Sequence, residues 1–312
     1  MRRLIIIAFA ALAAATSAKA DWRDDVRVLR VGVLATDSPA TVLARLEPFR
    51  AYLSTRLSFP VELVPTTSAE ALIEAEASGR VPYAILSASA YAAASVSCKC
   101  VEPLALPSAF DGARGFYAVL LARADSPIKA LADTDGARLA LGAADSVTGH
   151  LLPMKAFAAA GIDPATHFAA LYESPGPVDA IAALLDGRVD VALAWSSLTG
   201  DPAAGYAFGP LHTMVMAGAL SMDQVRVVWQ SPLIPFGPHA VRTDMPDEEK
   251  TLLRDALVAM ATEAPDVLDA VDRSAYGGGG FVAAAAADYA PLEPLVTPEA
   301  APVPASAAKT AP

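Results

Sequence analysis

Cysteine is nearly missing from this chain, and histidine, aromatic side chains and positive charge are also scarce. Two cysteines cannot build a disulfide framework or a four-thiolate zinc site. His150, His167, His212 and His239 are scattered without metal-ligand spacing, so no metal and no other cofactor is expected. Lys and Arg number 23 against 34 Asp and Glu, a net charge of −11. That balance excludes the basic face with which a nucleic-acid binder displaces counterions, and it excludes a polybasic membrane anchor. Only 18% of the chain is charged while 54% is apolar, so disorder is excluded for most of its 312 residues. Aromatics at 7% leave the core to Ala, Val and Leu. Ser126-Pro-Ile-Lys129 has S-x-x-K spacing, but the S-D-N and K-T-G partners of that acylation chemistry are missing, so Ser126 reads as a helix cap before Pro127. With no nucleophile–base pair in view, the chain is not expected to be an enzyme.

What is present begins with an address. Met1-Arg2-Arg3 is cationic, Leu4–Ala15 is almost wholly apolar, and Ala18-Lys19-Ala20 has the A-x-A form of a cleavage site. The apolar run falls short of the roughly 20 residues that span a bilayer. Residues 1–20 are therefore expected to be a cleaved signal peptide. Losing Arg2, Arg3 and Lys19 leaves 20 cations against 34 anions, a soluble exported chain of charge −14. At the other end, residues 293–312 are expected to be a disordered tail, Pro/Ala-rich and without periodicity from Thr297 onward. Gly277–Gly280 reads as a flexible connection.

Between these ends strand-like and helix-like segments alternate. Strands are expected at 27–34, 61–65, 81–86, 101–105, 116–122, 138–142, 189–195, 225–229 and 238–241. Helices are expected at 40–57, 68–78, around 91–95, at 150–160, 178–186 and 248–270, the last broken near Pro265. Repeated βα units predict an α/β fold. There is too much of it for one small sheet, so two lobes are expected, each a mainly parallel sheet flanked by helices. Lobe 1 would hold 27–115 plus 240–292, and lobe 2 would hold 116–239.

One junction recurs four times: a strand ends, small hydroxyl residues follow, and a helix starts. The four are Thr36-Asp37-Ser38, Ser87-Ala88-Ser89 before Tyr91, Asp145-Ser146-Val147-Thr148-Gly149-His150, and Trp195-Ser196-Ser197. Such junctions lie at the carboxyl ends of parallel strands, where ligands bind. A helix start offers N–H groups without helical acceptors, and Ser or Thr adds hydroxyl donors, so converging junctions suit an anion. None of the four contains Lys or Arg, which favours a compact tetrahedral oxyanion over a carboxylate clamped by Arg. Asp37 and Asp145 are candidates to accept a hydrogen bond from a protonated oxygen of such a ligand.

At these residues the chain resembles the periplasmic substrate-binding proteins of phosphonate, phosphite and phosphate ABC importers, from about Val31 to Leu292. The segment Asp145-Ser146-Val147-Thr148-Gly149 with Pro153 is similar to that family's Ser-Thr-Ser-Gly loop around the phosphonate oxygens, with Val147 at the central hydroxyl position. Ala88-Ser89-Ala90-Tyr91 resembles a strand-end segment with a ligand-facing Tyr. Ser231–Pro235 and Asp288–Leu292 resemble framework segments. The resemblance implies a type 2 periplasmic binding fold with two hinge crossings between the lobes. It also implies a monomer that hands a small oxyanion to a membrane permease. Its expected ligand residues are Thr36, Ser87, Ser89, Tyr91, Ser146, Val147, Thr148, Gly149, His150, Trp195 and Ser196. The chain departs from aminophosphonate binders near Ser174–Pro177, which lacks a carboxylate for an ammonium. The alternative is a periplasmic sensor of an oxyanion such as arsenite, signalling to a membrane kinase, with Cys98-Lys99-Cys100 as its thiophilic feature.

Overall fold

The computed structural model describes residues 27–35, 38–272 and 278–296. The expected signal peptide, Thr36, Asp37 and the tail from Thr297 lie outside the described residues. In chain order the strands are β1 (Leu29–Leu34), β2 (Val61–Thr66), β3 (Tyr83–Ile85), β4 (Val101–Ala109), β5 (Gly115–Arg123) and β6 (Arg138–Leu141). They continue with β7 (Ala170–Glu173), β8 (Val191–Ser196), β9 (Val225–Gln230), β10 (Ile234–Pro235), β11 (His239–Arg242) and β12 (Gly278–Ala283). The main helices are α1 (Pro39–Leu57), α2 (Ala69–Ala77), α3 (Ala88–Cys98), α4 (Leu152–Ala159), α5 (Pro177–Leu185), α6 (Pro210–Met216), α7 (Asp247–Glu263) and α8 (Pro265–Val271).

Two sheets carry these strands, in a two-lobe α/β fold. The first runs β12-β4-β11-β3-β1-β2 and the second β10-β5-β8-β6-β7, with β9 also on β5. Each is mixed rather than mainly parallel. β1 pairs in parallel with β2 and β3, while β11 and β12 run antiparallel to their neighbours. In the second sheet β6 pairs in parallel with β7 and β8, and β5 is antiparallel to β8, β9 and β10. The antiparallel strands follow from the path of the chain, which leaves the first sheet after β4 and returns to it at β11. The two crossings run side by side. Ile234 and Pro235 pair with Phe116 and Gly115, and the Phe236 N–H donates to the Arg114 carbonyl at 2.9 Å.

Local chemistry sets the helices. Ser38 caps α1 by accepting the Thr41 N–H at 3.2 Å, and Pro39 occupies the first turn, where its missing N–H costs nothing. Val42, Leu46, Phe49, Leu53 and Leu57 recur every three or four residues and are buried in one cluster with β1. Pro48 sits inside this helix on its exposed side. β5 is buried throughout Ala118–Ala122, as a central strand requires. The long C-terminal helix breaks at Pro265 into α7 and α8, as expected.

Three local expectations are corrected. Ser126 starts no helix; its Oγ accepts the Ile128 N–H at 3.3 Å in a turn, and helical structure begins only at Leu131. Gly278–Gly280 is strand, because β4 offers an edge; a Cβ at Gly279 would lie 2.1 Å from the Ala109 carbonyl oxygen. Glu293–Val296 forms a helical turn whose Leu295 and Val296 pack against the cluster around Tyr91, so the described chain remains ordered beyond residue 292.

Candidate functional site

The turn after β6 is built around two glycines. Gly142 donates its N–H to the Gly149 carbonyl at 2.9 Å, and Ser146 Oγ accepts the Gly149 N–H at 3.0 Å. A Cβ on Gly149 would lie 2.9 Å from Ser146 Oγ and 3.0 Å from Gly142 Cα, so the close approach requires glycine there. Residues 147–151 form a wide π-type turn in which the Leu151 N–H reaches the Ser146 carbonyl at 2.9 Å. Such turns are rare and cluster at functional sites. The turn leads directly into α4.

This turn forms one wall of a cavity of about 220 Å³. Gly142, Ala143, Ser146, Thr148 and Gly149 come from the end of β6. Ser174, Pro175 and Gly176 follow β7 and enter α5, and Leu193, Ala194 and Trp195 close β8. The cavity therefore lies at the carboxyl ends of the three strands joined in parallel in the second sheet. No charged residue lines it. Its polar groups are hydroxyls and backbone, with the first turn of α5 beside it. The Ser174 hydroxyl donates to the Gly176 carbonyl at 2.9 Å, which fixes the entry to that helix.

A second cavity, of about 240 Å³, lies where the lobes meet. It brings Ser87 and Ser89 of the first lobe to Val147 of the second, beside Phe116, Phe236 and Leu292. Ser87 Oγ caps α3 by accepting the Ala90 N–H at 3.2 Å and lies 3.3 Å from Ser89 Oγ. Phe116 connects the two cavities, its ring 5.3 Å from that of Trp195. A third cavity, also about 240 Å³, opens beyond the carboxyl ends of β1 and β3 and includes Ser87 and Arg45.

Seven expected ligand residues are thus brought to the cleft: Ser87, Ser89, Ser146, Val147, Thr148, Gly149 and Trp195. Tyr91 is not. Its side chain is 1% exposed and its ring packs 4.6 Å from Tyr289, with burial pushing its hydroxyl up to about 12. One helical turn beyond Ser87, the ring falls on the face of α3 turned to the core. Ser196 is fully buried, and its Oγ accepts the Leu198 N–H at 3.2 Å. His150 lines none of the three cavities, and its Nδ1 is buried. Asp145 is exposed and also lines none of them. Ser174 and Gly176, noted in the sequence only for the carboxylate their segment lacks, line the first cavity, and their signal was Pro177 opening a helix. Arg45, not among the expected ligand residues, reaches the first lobe's cavity from inside α1 and donates to the Ala270 carbonyl at 2.7 Å.

Residues 31–289 match the family model described as ABC transporter, phosphonate, periplasmic substrate-binding protein. The chain belongs to that family. Its members bind substrates for transport and are not enzymes. Among solved structures, a Xanthomonas citri protein bound to ATP is 22% identical, with a TM-score of 0.59 over 87% of this chain and 96% of that one. The binding-protein component of a Pseudomonas aeruginosa ABC phosphonate transporter is 25% identical, with a TM-score of 0.49 over 86% and 85% of the two chains. PhnD1 from Prochlorococcus marinus, in complex with methylphosphonate, is 18% identical, with a TM-score of 0.49 over 86% and 97%. This periplasmic binding protein thus serves an ABC importer and takes a small oxyanion. Among the described residues no helix is long and apolar enough to cross a membrane, and no cluster of His, Cys, Asp or Glu could hold a metal ion.

Proposed function

We propose that the protein captures a small tetrahedral phosphorus oxyanion, a phosphonate, phosphite or phosphate, between its lobes and presents it to the permease as a monomer. The single observation that carries this reading is the uncharged cavity at the ends of β6, β7 and β8, lined by the hydroxyl residues Ser146, Thr148 and Ser174 and by the glycine backbone of Gly142, Gly149 and Gly176. Fixed neutral donors in a partly dry pocket hold an anion through charge-assisted hydrogen bonds without a countercharge. The site lacks the carboxylate that an ammonium-bearing phosphonate would need. The apolar cavity beside Val147 gives room for a short organic substituent instead. Closure at the crossings through Gly115 and Phe236 would bring Ser87 and Ser89 over the ligand. Residues 1–20 act as a cleaved export signal in this reading.

The cysteine pair gives the arsenite-sensing alternative no support, since Cys98 and Cys100 are joined in a disulfide at the far end of α3 from Ser87. A thermal-shift panel of methylphosphonate, phosphite, phosphate, aminoethylphosphonate and arsenite tests the proposal. A ligand at a hundred times its Kd stabilises the fold by about 2.7 kcal/mol. A shift with methylphosphonate, phosphite or phosphate and none with arsenite is expected. A shift with arsenite alone, or none with any phosphorus oxyanion, contradicts the proposal.

A further inference from the structure

Cys98 and Cys100 take no part in the cleft. They close a disulfide across a single residue, Lys99, with Cα atoms 5.0 Å apart, at the junction of α3 and β4. A cross-link between positions two apart restrains little that the chain itself does not already restrain, so a structural staple is a poor account of it.

The surroundings of the two sulfurs are unequal. Arg242 Nη1 lies 3.5 Å from Cys100 Sγ. That guanidinium is fixed: Nη1 also donates to the carbonyls of Glu76 at 3.0 Å and Ala77 at 2.8 Å, while Nε and Nη2 hold the Asp244 carboxylate at 2.9 and 2.8 Å. Cys100 thus faces a cation held in place. Cys98 is the last residue of α3, at the negative end of the helix dipole, and its Sγ receives the Cys100 N–H at 3.2 Å. The remaining charged groups nearby are exposed Lys99, the Lys250–Glu102 pair at 3.0 Å, and Glu76. Burial raises the Glu76 carboxyl to about 8, so it is mostly neutral at pH 7. The ionised Asp244 offsets part of the guanidinium charge from the Nε–Nη2 edge, while Nη1 remains against Cys100.

We infer that the Cys98–Cys100 pair is a thiol–disulfide exchange site for a dithiol reductant, with Cys100 as the leaving thiolate. A thiolate of the dithiol attacks Cys98 Sγ, the Cys98–Cys100 bond breaks, and its electron pair leaves with Cys100 beside Arg242. The dithiol's second thiol loses its proton to solvent and attacks its own sulfur in the mixed disulfide. That step releases Cys98, which takes up a proton. The protein gains two electrons, and the dithiol leaves as its disulfide. A thiolate beside a fixed cation is the better leaving group, which sets the direction of attack.

The test uses dithiothreitol on the full folded chain, followed by iodoacetamide trapping and mass analysis with circular dichroism recorded in parallel. Both cysteines should become alkylated while the native signal persists. In Cys98→Ser, the alkylation rate of Cys100 against pH should have its midpoint at least one unit below the roughly 8.5 of a free thiol. Arg242→Gln added to that variant should return the midpoint to the ordinary value, and Arg242→Lys should keep it low. Reduction that requires denaturant overturns the inference, as does an ordinary thiol profile in Cys98→Ser or no response to Arg242→Gln. Should Arg242→Gln fail to fold, the Cys98→Ser midpoint decides alone.

Discussion

The Ser146 hydroxyl accepts the Gly149 N–H at 3.0 Å, which leaves its own proton to donate. Two losses are therefore expected in Ser146→Ala: about 1 kcal/mol of stability from the cap, and about tenfold in ligand affinity from the lost charge-assisted bond. Thr148→Ala should lose affinity by a similar factor and keep its melting temperature. Calorimetry and thermal unfolding on the two variants separate the effects. Tyr91→Phe should bind like the wild type. After Trp195-Ser196-Ser197 the expected helix is not there, and the chain runs on as a loop to Asp201. The other three hydroxyl junctions, at Ser38, Ser87 and Ser146, could be read from the sequence because capping is local chemistry, settled within four residues. Tyr91 and Ser196 could not, because which face of a helix or strand end is covered depends on partners far along the chain, such as Tyr289.

Two buried titratable residues give the fold its pH limits. His239 accepts or donates a hydrogen bond with the Tyr83 hydroxyl at 2.5 Å, and burial lowers its pKa from 6.5 to about 3. Stability present above pH 6.5 should therefore be lost as pH falls toward 3, by about 1.4 kcal/mol per unit from this group. For Glu76 the sign is opposite. Its pKa rises from 4.5 to about 8 through burial, so stability present below pH 4.5 is lost as pH rises through 8. Urea unfolding of Glu76→Gln at pH 5 and pH 8 checks this: the variant should gain on the wild type at the higher pH, and an equal difference at both would contradict it.

At the scale of elements, the crossings depend on tight backbone contact. A Cβ on Gly115 would lie 2.1 Å from the Ile234 carbonyl oxygen, and one on Gly237 would lie 2.1 Å from that of Leu86. Neither obstacle is a side chain that can turn away. Gly237→Ala should therefore cost about 3 kcal/mol, read by urea unfolding, since the backbone itself must shift. Element types followed from periodicity: α1, β5 and the break at Pro265 could all be placed from apolar spacing and proline. Strand direction could not, because it depends on where the chain crosses between sheets. The glycine-rich strand β12 was hidden for a related reason, as it pairs with β4 through its backbone and shows little hydrophobic pattern.

For the whole molecule, the central requirement is an oxyanion site at the turn after β6, on one side of the cleft between the lobes. One side offers Ser146 and Thr148 on the turn after β6, the other Ser87 and Ser89 at the start of α3. Isothermal titration of methylphosphonate, phosphite and phosphate into the wild type and into Ser146→Ala/Thr148→Ala tests this most directly. Saturable one-to-one binding by the wild type, weakened at least a hundredfold in the double variant, is the predicted result. Equal binding by both proteins, or none by the wild type with methylphosphonate, phosphite or phosphate, would contradict an oxyanion site at this turn.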